Sequence, residues 1–340
     1  MDKAISNRIQ KWDNIKFLLI FCVVLGHMTD VYADNSLLSN CIRLFLFTFH
    51  MPAFVFISGL FEKKNIKERR YNKIFSYLIL FVFIKVITFF AEWIAYGERL
   101  GFSLLSTGNV AWYAFCLFAF NMITILTEKF SPKYVLIASV LIALFAGYDK
   151  EIGEWLCLSR VIVFYPFYYL GFILDPKKVM EVLNKKSLKV VSALIIASVI
   201  VIICLLNQYL FDFKFVFAGR IAFVKIMKDR PYAFVYRLIC YVVSVLVGGS
   251  VICLVPDKLC KGFFAKLGAK SVQIYALHSA LKHLWLGLVS EPLGIEKYFG
   301  RNTIVIYELA VAVALIIICV LPIWKPLFDK MLNVKLRDSE

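Results

Sequence analysis

Lys16 and His27 are the two residues whose types and spacing most directly suggest chemistry. They stand on residues 12–30, of which residues 17–26 are almost wholly apolar. Lysine binds anionic groups, and a histidine that is neutral at pH 7 can accept a proton from a hydroxyl. On a helix the two residues are separated by about 16 Å, roughly half of a ~30 Å hydrocarbon core. The stretch therefore predicts a membrane helix that joins an anion-binding face to a base near the midplane.

Further ionisable residues are expected at the depth of His27. His50 and Lys85 fall near the middle of the second and third apolar segments, within one or two turns of the midplane. An ionisable group in hydrocarbon costs about 2.5–3.5 kcal/mol, so such groups face the protein interior or a wet cavity. Together they predict a shared polar chamber. For Arg43 or Glu92 alone, an interhelical hydrogen bond or a snorkelling side chain explains the residue equally well.

The composition indicates what kind of element positions these residues. The chain has 340 residues, is 61% hydrophobic and has a mean hydropathy of +0.78. Soluble domains are about half apolar, so this excess predicts an all-α polytopic membrane protein. We expect a single membrane domain over residues 1–340, with a helical bundle at about 15–322 and a tail at 323–340.

About ten apolar segments are long enough to be membrane-spanning helices. They lie at roughly 15–33, 41–61, 74–95, 110–127, 134–148, 157–174, 188–206, 232–255, 271–290 and 303–322. The segment at 134–148 is short. The loop at 207–231 is rich in Phe, Val and Ile, which predicts that it packs on the bundle or dips into it.

The distribution of lysine and arginine predicts the orientation of the chain. The N-terminus, the C-terminus and every second loop together hold 25 of these residues, whereas the opposite loops hold nine. Cytoplasmic loops of membrane proteins are enriched in lysine and arginine. The bias therefore places both termini, and the tail, in the cytoplasm.

The net charge of +16 does not indicate a nucleic-acid partner. The basic residues form short clusters between apolar segments, which is typical of a topology signal and of contact with anionic membrane lipids. The nine cysteines form no Cys-x-x-Cys pair and lie mostly inside apolar segments. We therefore expect buried thiols and no metal site.

Four short motifs stand in order along this chain. The first is residues 13–16 (DNIK), followed after ten residues by His27. The others are residues 49–59 (FHMPAFVFISG), 160–171 (RVIVFYPFYYLG) and 267–278 (LGAKSVQIYALH). In order and spacing these motifs resemble those of the integral membrane acyltransferase 3 family. The signature of that family is an arginine followed after ten residues by a histidine. The first motif of this chain resembles the form of that signature with Asp-x-x-Lys in place of the arginine, which is common in the fucose 4-O-acetylase branch. The resemblance covers about residues 8–322.

The chain departs from the family pattern among its cations. Lys16 stands where many relatives have arginine, and Lys67, Arg70 and Lys73 stand where some carry Arg-x-x-Arg. A lysine binds phosphate as a point charge without the bidentate fork of arginine. The geometry of donor binding at Lys16 is therefore expected to differ from that in arginine-bearing relatives.

The resemblance implies transfer of an acyl group, usually acetyl from acetyl-CoA, to a hydroxyl of a cell-envelope glycan or lipid-linked saccharide. It also implies a multi-pass protein of the bacterial cytoplasmic membrane. Coenzyme A is polyanionic and cytoplasmic, so the donor needs cations at the inner face. The predicted donor-binding residues are Asp13, Lys16, Lys67, Arg69, Arg70 and Lys73. For the loop at 63–73, a topology signal alone is an equal explanation.

The catalytic and acceptor-binding candidates are residues of the predicted chamber. His27 is the candidate general base, and His50 would orient it, stabilise the oxyanion or help to bind the acceptor. Arg160 and Lys85 would counter negative charge in the transition state or on the acceptor. The remaining candidates for acceptor binding are Tyr113 and His278. For Tyr113, placed at the outer interface, a membrane-belt aromatic is the alternative.

Two alternatives to this mechanism and function stay open at the level of sequence. An acyl-His27 intermediate is as compatible with the residues as direct transfer is, because histidine can act as a nucleophile. The chain also fits a polytopic transporter or exporter in which His27, His50, Lys85 and Glu92 form a path for protons or substrate. The pairing of Lys16 with a basic cytoplasmic loop favours the acyltransferase, because coenzyme A requires cations that a proton-coupled carrier does not.

Overall fold

The structure, a computed structural model, describes residues 2–97, 102–106, 110–153, 155–210, 213–220, 222–223, 231–257 and 262–333, with side chains from residue 10 onward. Its α-helices of six or more residues, in chain order, are α1 Asp2–Tyr32, α2 Leu37–Lys67, α3 Tyr71–Tyr96, α4 Trp112–Leu126, α5 Pro132–Phe145, α6 Leu158–Ile173, α7 Pro176–Leu183, α8 Lys186–Leu210, α9 Phe213–Ala218, α10 Ala233–Leu254, α11 Phe263–Gly268, α12 Ser271–Trp285, α13 Ile304–Cys319 and α14 Lys325–Leu332. The described residues contain no strand, only an isolated bridge between Ser106 and Trp155.

Several of these helices are long and apolar enough to cross a membrane. Within the described residues, five qualify by themselves, namely Gln10–Tyr32 of α1 together with α2, α3, α8 and α10. The number rises to seven if each of two bent pairs, α6 with α7 and α13 with Pro322–Leu332, is one span. The predicted all-α polytopic class is confirmed. The count of ten spans and the cytoplasmic termini stay predictions, although each predicted segment coincides with a helix.

The bundle is organised around α1 and α2. α2 packs closely against α6, and two glycines make this approach possible. A Cβ atom on Gly59 would overlap the carbonyl oxygen of Tyr168, and one on Gly171 would overlap that of Phe56. Small residues allow helix backbones to approach closely in a membrane. The glycines that end the motifs at 49–59 and 160–171 are therefore packing residues.

The short helix α11 covers the side of α1 that carries Lys16. A Cβ atom on Gly268 would overlap the carbonyl oxygen of Asp13, so the two backbones are in direct contact. The rings of Phe17 and Phe264 stack with centroids 5.0 Å apart. Because α12 follows α11 after only two residues, this contact also fixes α12, which carries His278, beside α1.

The described parts of the loop at 207–231 pack on the bundle, as predicted. Val216 and Phe223 are buried, and the Ser159 hydroxyl donates to the carbonyl oxygen of Gly219 at 2.7 Å. Residues 211–212, 221 and 224–230 of this loop lie outside the described residues.

The predicted tail begins with a helix that packs against the bundle. Phe328 of α14 is buried against Phe83 of α3, with ring centroids 6.1 Å apart. The Lys73 ammonium donates to the carbonyl oxygen of Leu332 at 3.3 Å and to the side chain of Asn333 at 3.1 Å. Residues 334–340 of the tail lie outside the described residues, and the assignment of the chain to one domain stays a prediction.

Candidate active site

His27 on α1 and His278 on α12 lie against each other inside the bundle. Their ring centroids are 5.4 Å apart, and the ring planes are inclined by 33°. His278 is fully buried, and its Nδ1 lies 2.8 Å from the carbonyl oxygen of Tyr275 and 3.1 Å from that of Ile274. Because a carbonyl only accepts, Nδ1 carries the hydrogen, and Nε2 of the neutral ring is an acceptor.

The two imidazoles of this pair differ in accessibility. His27 is partly accessible, although the residues that follow it, Met28 and Thr29, are fully buried. The Nε2 atom of His278 is buried and has no hydrogen-bond partner among the described residues. The pair therefore presents one imidazole to a ligand and keeps the other behind it.

His50 and Arg160 face the same interior from α2 and α6. His50 is buried, and its Nδ1 donates to the carbonyl oxygen of Leu46 at 2.5 Å. The Arg160 guanidinium lies over the ring of Trp112, 4.7 Å from its centroid. Both His50 and Arg160 lie within electrostatic range of His27. The structure thus places the other two predicted catalytic residues, on two further helices, within electrostatic range of His27.

Lys282 joins this group from α12. It stands four residues after His278, so the two side chains share one face of the helix. Lys282 is within electrostatic range of His27, His278 and Asp30. Asp30, one turn after His27 on α1, accepts from Arg43 at 2.9 Å. Lys282 therefore places a cationic side chain near the histidine pair. The same side chain interacts electrostatically with Asp30, which lies nearer the C-terminal end of α1.

A second polar group lies between α3 and α12. His283 Nε2 is 3.2 Å from a carboxylate oxygen of Glu92, and Lys282 is within electrostatic range of both residues. Lys85 is buried, and its ammonium donates to the carbonyl oxygen of Ser106 at 2.7 Å. Lys85 thus ties α3 to the segment at 102–106, and its predicted role in charge stabilisation stays a prediction.

Tyr113 lies inside the bundle, enclosed by side chains of neighbouring helices. Its ring is buried, packed edge-on against Phe54 and against Tyr275, with centroids 5.6 and 5.1 Å apart. Its hydroxyl is 2.6 Å from that of Ser58 on α2. A ring enclosed by other helices does not face lipid, so the alternative of a membrane-belt aromatic is wrong, and the placement of Tyr113 at the outer interface stays a prediction. Its role in acceptor binding stays a prediction.

Lys16 and Asp13 form an ion pair one turn apart at the far end of α1 from Asp30. The Lys16 ammonium is 3.1 Å from Asp13 Oδ1 and 5.2 Å from the centroid of the Phe61 ring. The Lys16 side chain is 31% exposed. Its charge is therefore held by one adjacent carboxylate and an aromatic face while it stays accessible to a ligand.

The loop at 63–73 differs from Lys16 because its arginines have acidic partners. Arg69 pairs with Glu128, and Arg70 pairs with Glu68 at 2.5 Å. Arg69 also has φ of +50°, in the left-handed region that non-glycine residues rarely adopt. Lys67 is exposed. Both arginines of the loop thus have acidic partners, Glu128 outside the loop and Glu68 within it, and the role of the loop in donor binding stays a prediction.

A family comparison decides the class of protein. The family model described as an acyltransferase domain matches residues 9–324. The chain belongs to the acyltransferase 3 family. It is therefore a membrane acyltransferase. Of the two alternatives, an enzyme and a transporter, membership of the family supports the enzyme. No curated protein and no solved structure matches the chain.

The histidine pair of this acyltransferase can carry out proton transfer in a group-transfer reaction. His27 is the accessible imidazole, and His278 lies behind it with a free lone pair on Nε2. Lys282 and Arg160 supply positive charge close by, which can stabilise an oxyanion. Among the described residues, no three His, Cys, Asp or Glu side chains are grouped to hold a metal ion.

Sequence reasoning missed two residues of this acyltransferase. Lys282 had a usable signal, because a lysine four residues after His278 in an apolar segment must share its face. Glu62 is buried on α2 and accepts from Tyr77 and, at 2.9 Å, from Asn65. Its position next to the basic loop made it look like part of a solvated cluster, and only the packing of α3 against α2 reveals its burial.

Proposed function

We propose that this acyltransferase transfers an acetyl group from cytoplasmic acetyl-CoA to a hydroxyl of a cell-envelope glycan or lipid-linked saccharide, with His27 as the general base. The observation that carries the proposal is the pairing of a partly accessible His27 with a buried His278. Lys16 stands eleven residues earlier on the same helix, about 16 Å away. One helix thus carries a donor-binding cation and a base.

The proposed reaction is a direct transfer. A ring nitrogen of His27 takes the proton of the acceptor hydroxyl while the hydroxyl oxygen forms a bond to the acetyl carbonyl carbon. The carbon–sulfur bond then breaks, and the leaving coenzyme A thiolate takes the proton from the His27 imidazolium. No proton is gained or lost overall, so no path for protons across the membrane is needed.

The neighbours of His27 support this chemistry in different ways. His278 contacts the His27 ring and restricts its orientation. Negative charge develops on the acetyl oxygen in the tetrahedral intermediate, and Lys282 and Arg160 are the cations within electrostatic range of His27. Cations held in place before the reaction stabilise such charge without further reorganisation. His50 offers a further imidazole from α2.

The proposed donor site lies at the Lys16 end of α1. The pyrophosphate and 3′-phosphate of coenzyme A need accessible cations, and Lys16 is accessible beside Asp13. Lys67 is the exposed cation of the loop at 63–73. We place this end in the cytoplasm and the protein in the bacterial cytoplasmic membrane, because the distribution of lysine and arginine favours that orientation.

The test of the proposed function is mass spectrometry of envelope glycans from cells with and without the gene. We expect glycans from gene-containing cells to carry one more acetyl group, and cells that express His27→Ala to lack it. General acid–base catalysis contributes about 10²–10⁴-fold, so transfer should fall at least a hundredfold. Normal acetylation in cells with His27→Ala at wild-type membrane levels would overturn the catalytic assignment.

A matched control for His27→Ala is available at His283, the second histidine of α12, which pairs with the carboxylate of Glu92. His283→Gln keeps a hydrogen-bond donor for Glu92, its partner at 3.2 Å. We expect this variant to retain acetylation. If both histidine variants lose it equally, the loss reflects damage to the bundle and the base is not identified.

A further inference from the structure

A polar cavity opens where α1 ends and α2 begins, at the opposite end of α1 from Lys16. It consists of two adjoining spaces of about 450 and 490 Å³. Both spaces are lined by Asp34, Asn35, Ser36 and Arg301. Pockets for small ligands have volumes of about 300–1,000 Å³. Each space is therefore large enough for part of a substrate.

This cavity lies above the histidine pair along α1. Tyr32, which lines it, stands five residues after His27, about 8 Å along the helix. Asp30 stands between them, with a side chain that is 42% exposed. Lys282 is within electrostatic range of both Asp30 and His27. Polar and charged groups thus continue from the cavity to the histidines.

A line of hydroxyls also leads from the cavity into the bundle. Ser36 caps α2 and lines both spaces, and its hydroxyl oxygen lies 2.9 Å from that of Ser39. Ser39 donates its single hydroxyl hydrogen to Glu308 Oε2 at 3.0 Å. Glu308 is fully buried, and its other oxygen, Oε1, has no hydrogen-bond partner among the described residues. A carboxylate that can accept hydrogen bonds, that of Glu308, therefore lies in the bundle behind Ser36, which lines the cavity.

The lining residues match the chemistry of a saccharide. Asp34, Asn35, Glu296 and Arg301 present the carboxylate, amide and guanidinium groups that exchange hydrogen bonds with hydroxyls. Tyr32 and Phe299 add aromatic surface, with both rings near Tyr307 at 6.5 and 5.7 Å. An aromatic ring supplies an apolar face with little loss of conformational entropy.

The charge of the cavity argues against the acyl donor as its ligand. Its described lining carries two carboxylates, Asp34 and Glu296, and one guanidinium, Arg301, and Asp34 also lies 3.9 Å from the guanidinium of Arg43. Such a lining offers no cluster of cations for the phosphates of coenzyme A, whereas its mixed polar groups suit an uncharged saccharide. Lys16 offers an accessible cation at the other end of α1, about 24 Å away from Tyr32.

We infer that this cavity binds the glycan acceptor as an uncharged saccharide and directs one of its hydroxyls toward His27. The inference rests on the proposed function and deepens it, because it gives the acceptor its own site, separate from that of acetyl-CoA. Both substrates then reach the histidine pair from opposite ends of one helix.

The binding test uses the full-length protein in lipid nanodiscs and saturation-transfer NMR. The probes are methyl glycosides of a hexose, a 6-deoxyhexose and an N-acetylhexosamine. We expect at least one glycoside to bind, and Asn35→Ala and Glu296→Ala to weaken its binding at least tenfold while acetyl-CoA affinity stays unchanged. Both residues are exposed, so the variants should fold normally.

A matched control is available beside Glu296. Lys297 is exposed and, among the described residues, lines neither space, so Lys297→Ala should bind the glycoside as the wild type does. The inference is overturned if none of the three glycosides binds, if the cavity variants bind as tightly as Lys297→Ala, or if acetyl-CoA binding falls with glycoside binding.

A second measurement separates this inference from the proposed function. In membranes that supply the natural envelope glycan, Glu296→Ala should raise the acceptor KM at least tenfold and leave kcat within about twofold. His27→Ala should lose transfer and still bind the glycoside through the cavity. Retained transfer in His27→Ala, with binding that still depends on Glu296, would refute the catalytic role and leave the acceptor site standing.

Discussion

The histidine cluster inside the bundle and the basic loop at 63–73 differ in what their charged groups already bind. In the loop, Arg69 and Arg70 each pair with a glutamate, so much of their charge is neutralised within the protein. In the cluster, His27 stays partly accessible and Nε2 of His278 has no partner among the described residues. The loop thus resembles a structural connection, and the cluster resembles a reactive centre.

This difference shows why a count of charged residues is a poor guide to a binding site. Exposed basic residues next to apolar helices serve membrane orientation and pair readily with nearby acids at small energetic gain. A buried polar atom without a partner costs about 1–3 kcal/mol. Among the described residues, Nη1 of Arg69 is such an atom as well as Nε2 of His278, so the two regions differ in the partly accessible imidazole of His27 beside the latter. The predictions below separate the two regions by the size of the effect expected in each.

After the loss expected for His27→Ala, the largest effect is expected at His278, which we treat as a positioning residue for His27. His278→Asn keeps a donor near the position of Nδ1 and removes Nε2, and we expect kcat to fall about 10–100-fold. KM for both substrates should stay unchanged, because His278 is buried behind His27. The measurement is steady-state acetyl transfer in membranes.

The conservative partner of this variant is His278→Gln. Its amide group reaches near the position of Nε2, so we expect it to recover part of the kcat that His278→Asn loses. Equal loss in both variants, together with a lower melting temperature, would mean that His278 is only a packing residue.

The next largest effect is expected at Lys282. Lys282→Met keeps the aliphatic length and removes the positive charge that acts on His27 and His278. If that charge stabilises the oxyanion, kcat should fall about tenfold, and Lys282→Arg should retain most of the activity. Unchanged kcat in Lys282→Met would remove Lys282 from the reaction and leave Arg160 as the candidate cation.

Much of the fold was accessible from the sequence because apolar segments in a membrane must be helices. With no water to satisfy backbone groups, a long apolar segment has few other choices. The pairing of α2 with α6 was not accessible, because it depends on Gly59 meeting Tyr168 and Gly171 meeting Phe56 across the interface. The sequence shows where the glycines are, but it does not show which residues of the other helix they contact.

The candidate site was predictable in part for the same reason. Depth along a helix follows from residue counting, which gave His27 and His50 a common level. Rotation about the helix axis does not follow when every face is apolar, so the contact of His27 with His278 could not be foreseen. The position of Tyr113 near a helix start resembled that of a membrane-belt aromatic, whereas its hydroxyl lies 2.6 Å from that of Ser58 inside the bundle.

A smaller effect is expected at Lys16, the accessible cation at the donor end of α1. Lys16→Ala removes one charge-assisted contact to a phosphate, and because the Lys16 side chain is 31% exposed this contact is worth about 1 kcal/mol, so acetyl-CoA affinity should fall about fivefold. The measurement is a thermal-shift titration of the purified protein with coenzyme A. Lys64→Ala is the matched control, because Lys64 is 66% exposed and only 3.9 Å from Glu68.

The outcome at Lys16 decides whether the donor end works as proposed. Equal affinity for coenzyme A in Lys16→Ala and Lys64→Ala would exclude Lys16 from donor binding. The enzyme would then need another set of cations, and the exposed Lys67 would be the next candidate.

The smallest effect is expected at Arg69. A large effect there would contradict the contrast between the basic loop and the histidine cluster. The pair of Arg69 with Glu128 is partly solvent-exposed, with side chains 38% and 43% accessible, and such pairs contribute at most about 1 kcal/mol. Arg69→Gly removes this pair but also relieves the left-handed backbone at φ +50°, so stability should change little. Acetyl-CoA affinity and kcat should stay within about twofold. A tenfold loss of affinity in Arg69→Gly at wild-type stability would make the loop a donor site, and the contrast between a structural loop and a reactive cluster would fail.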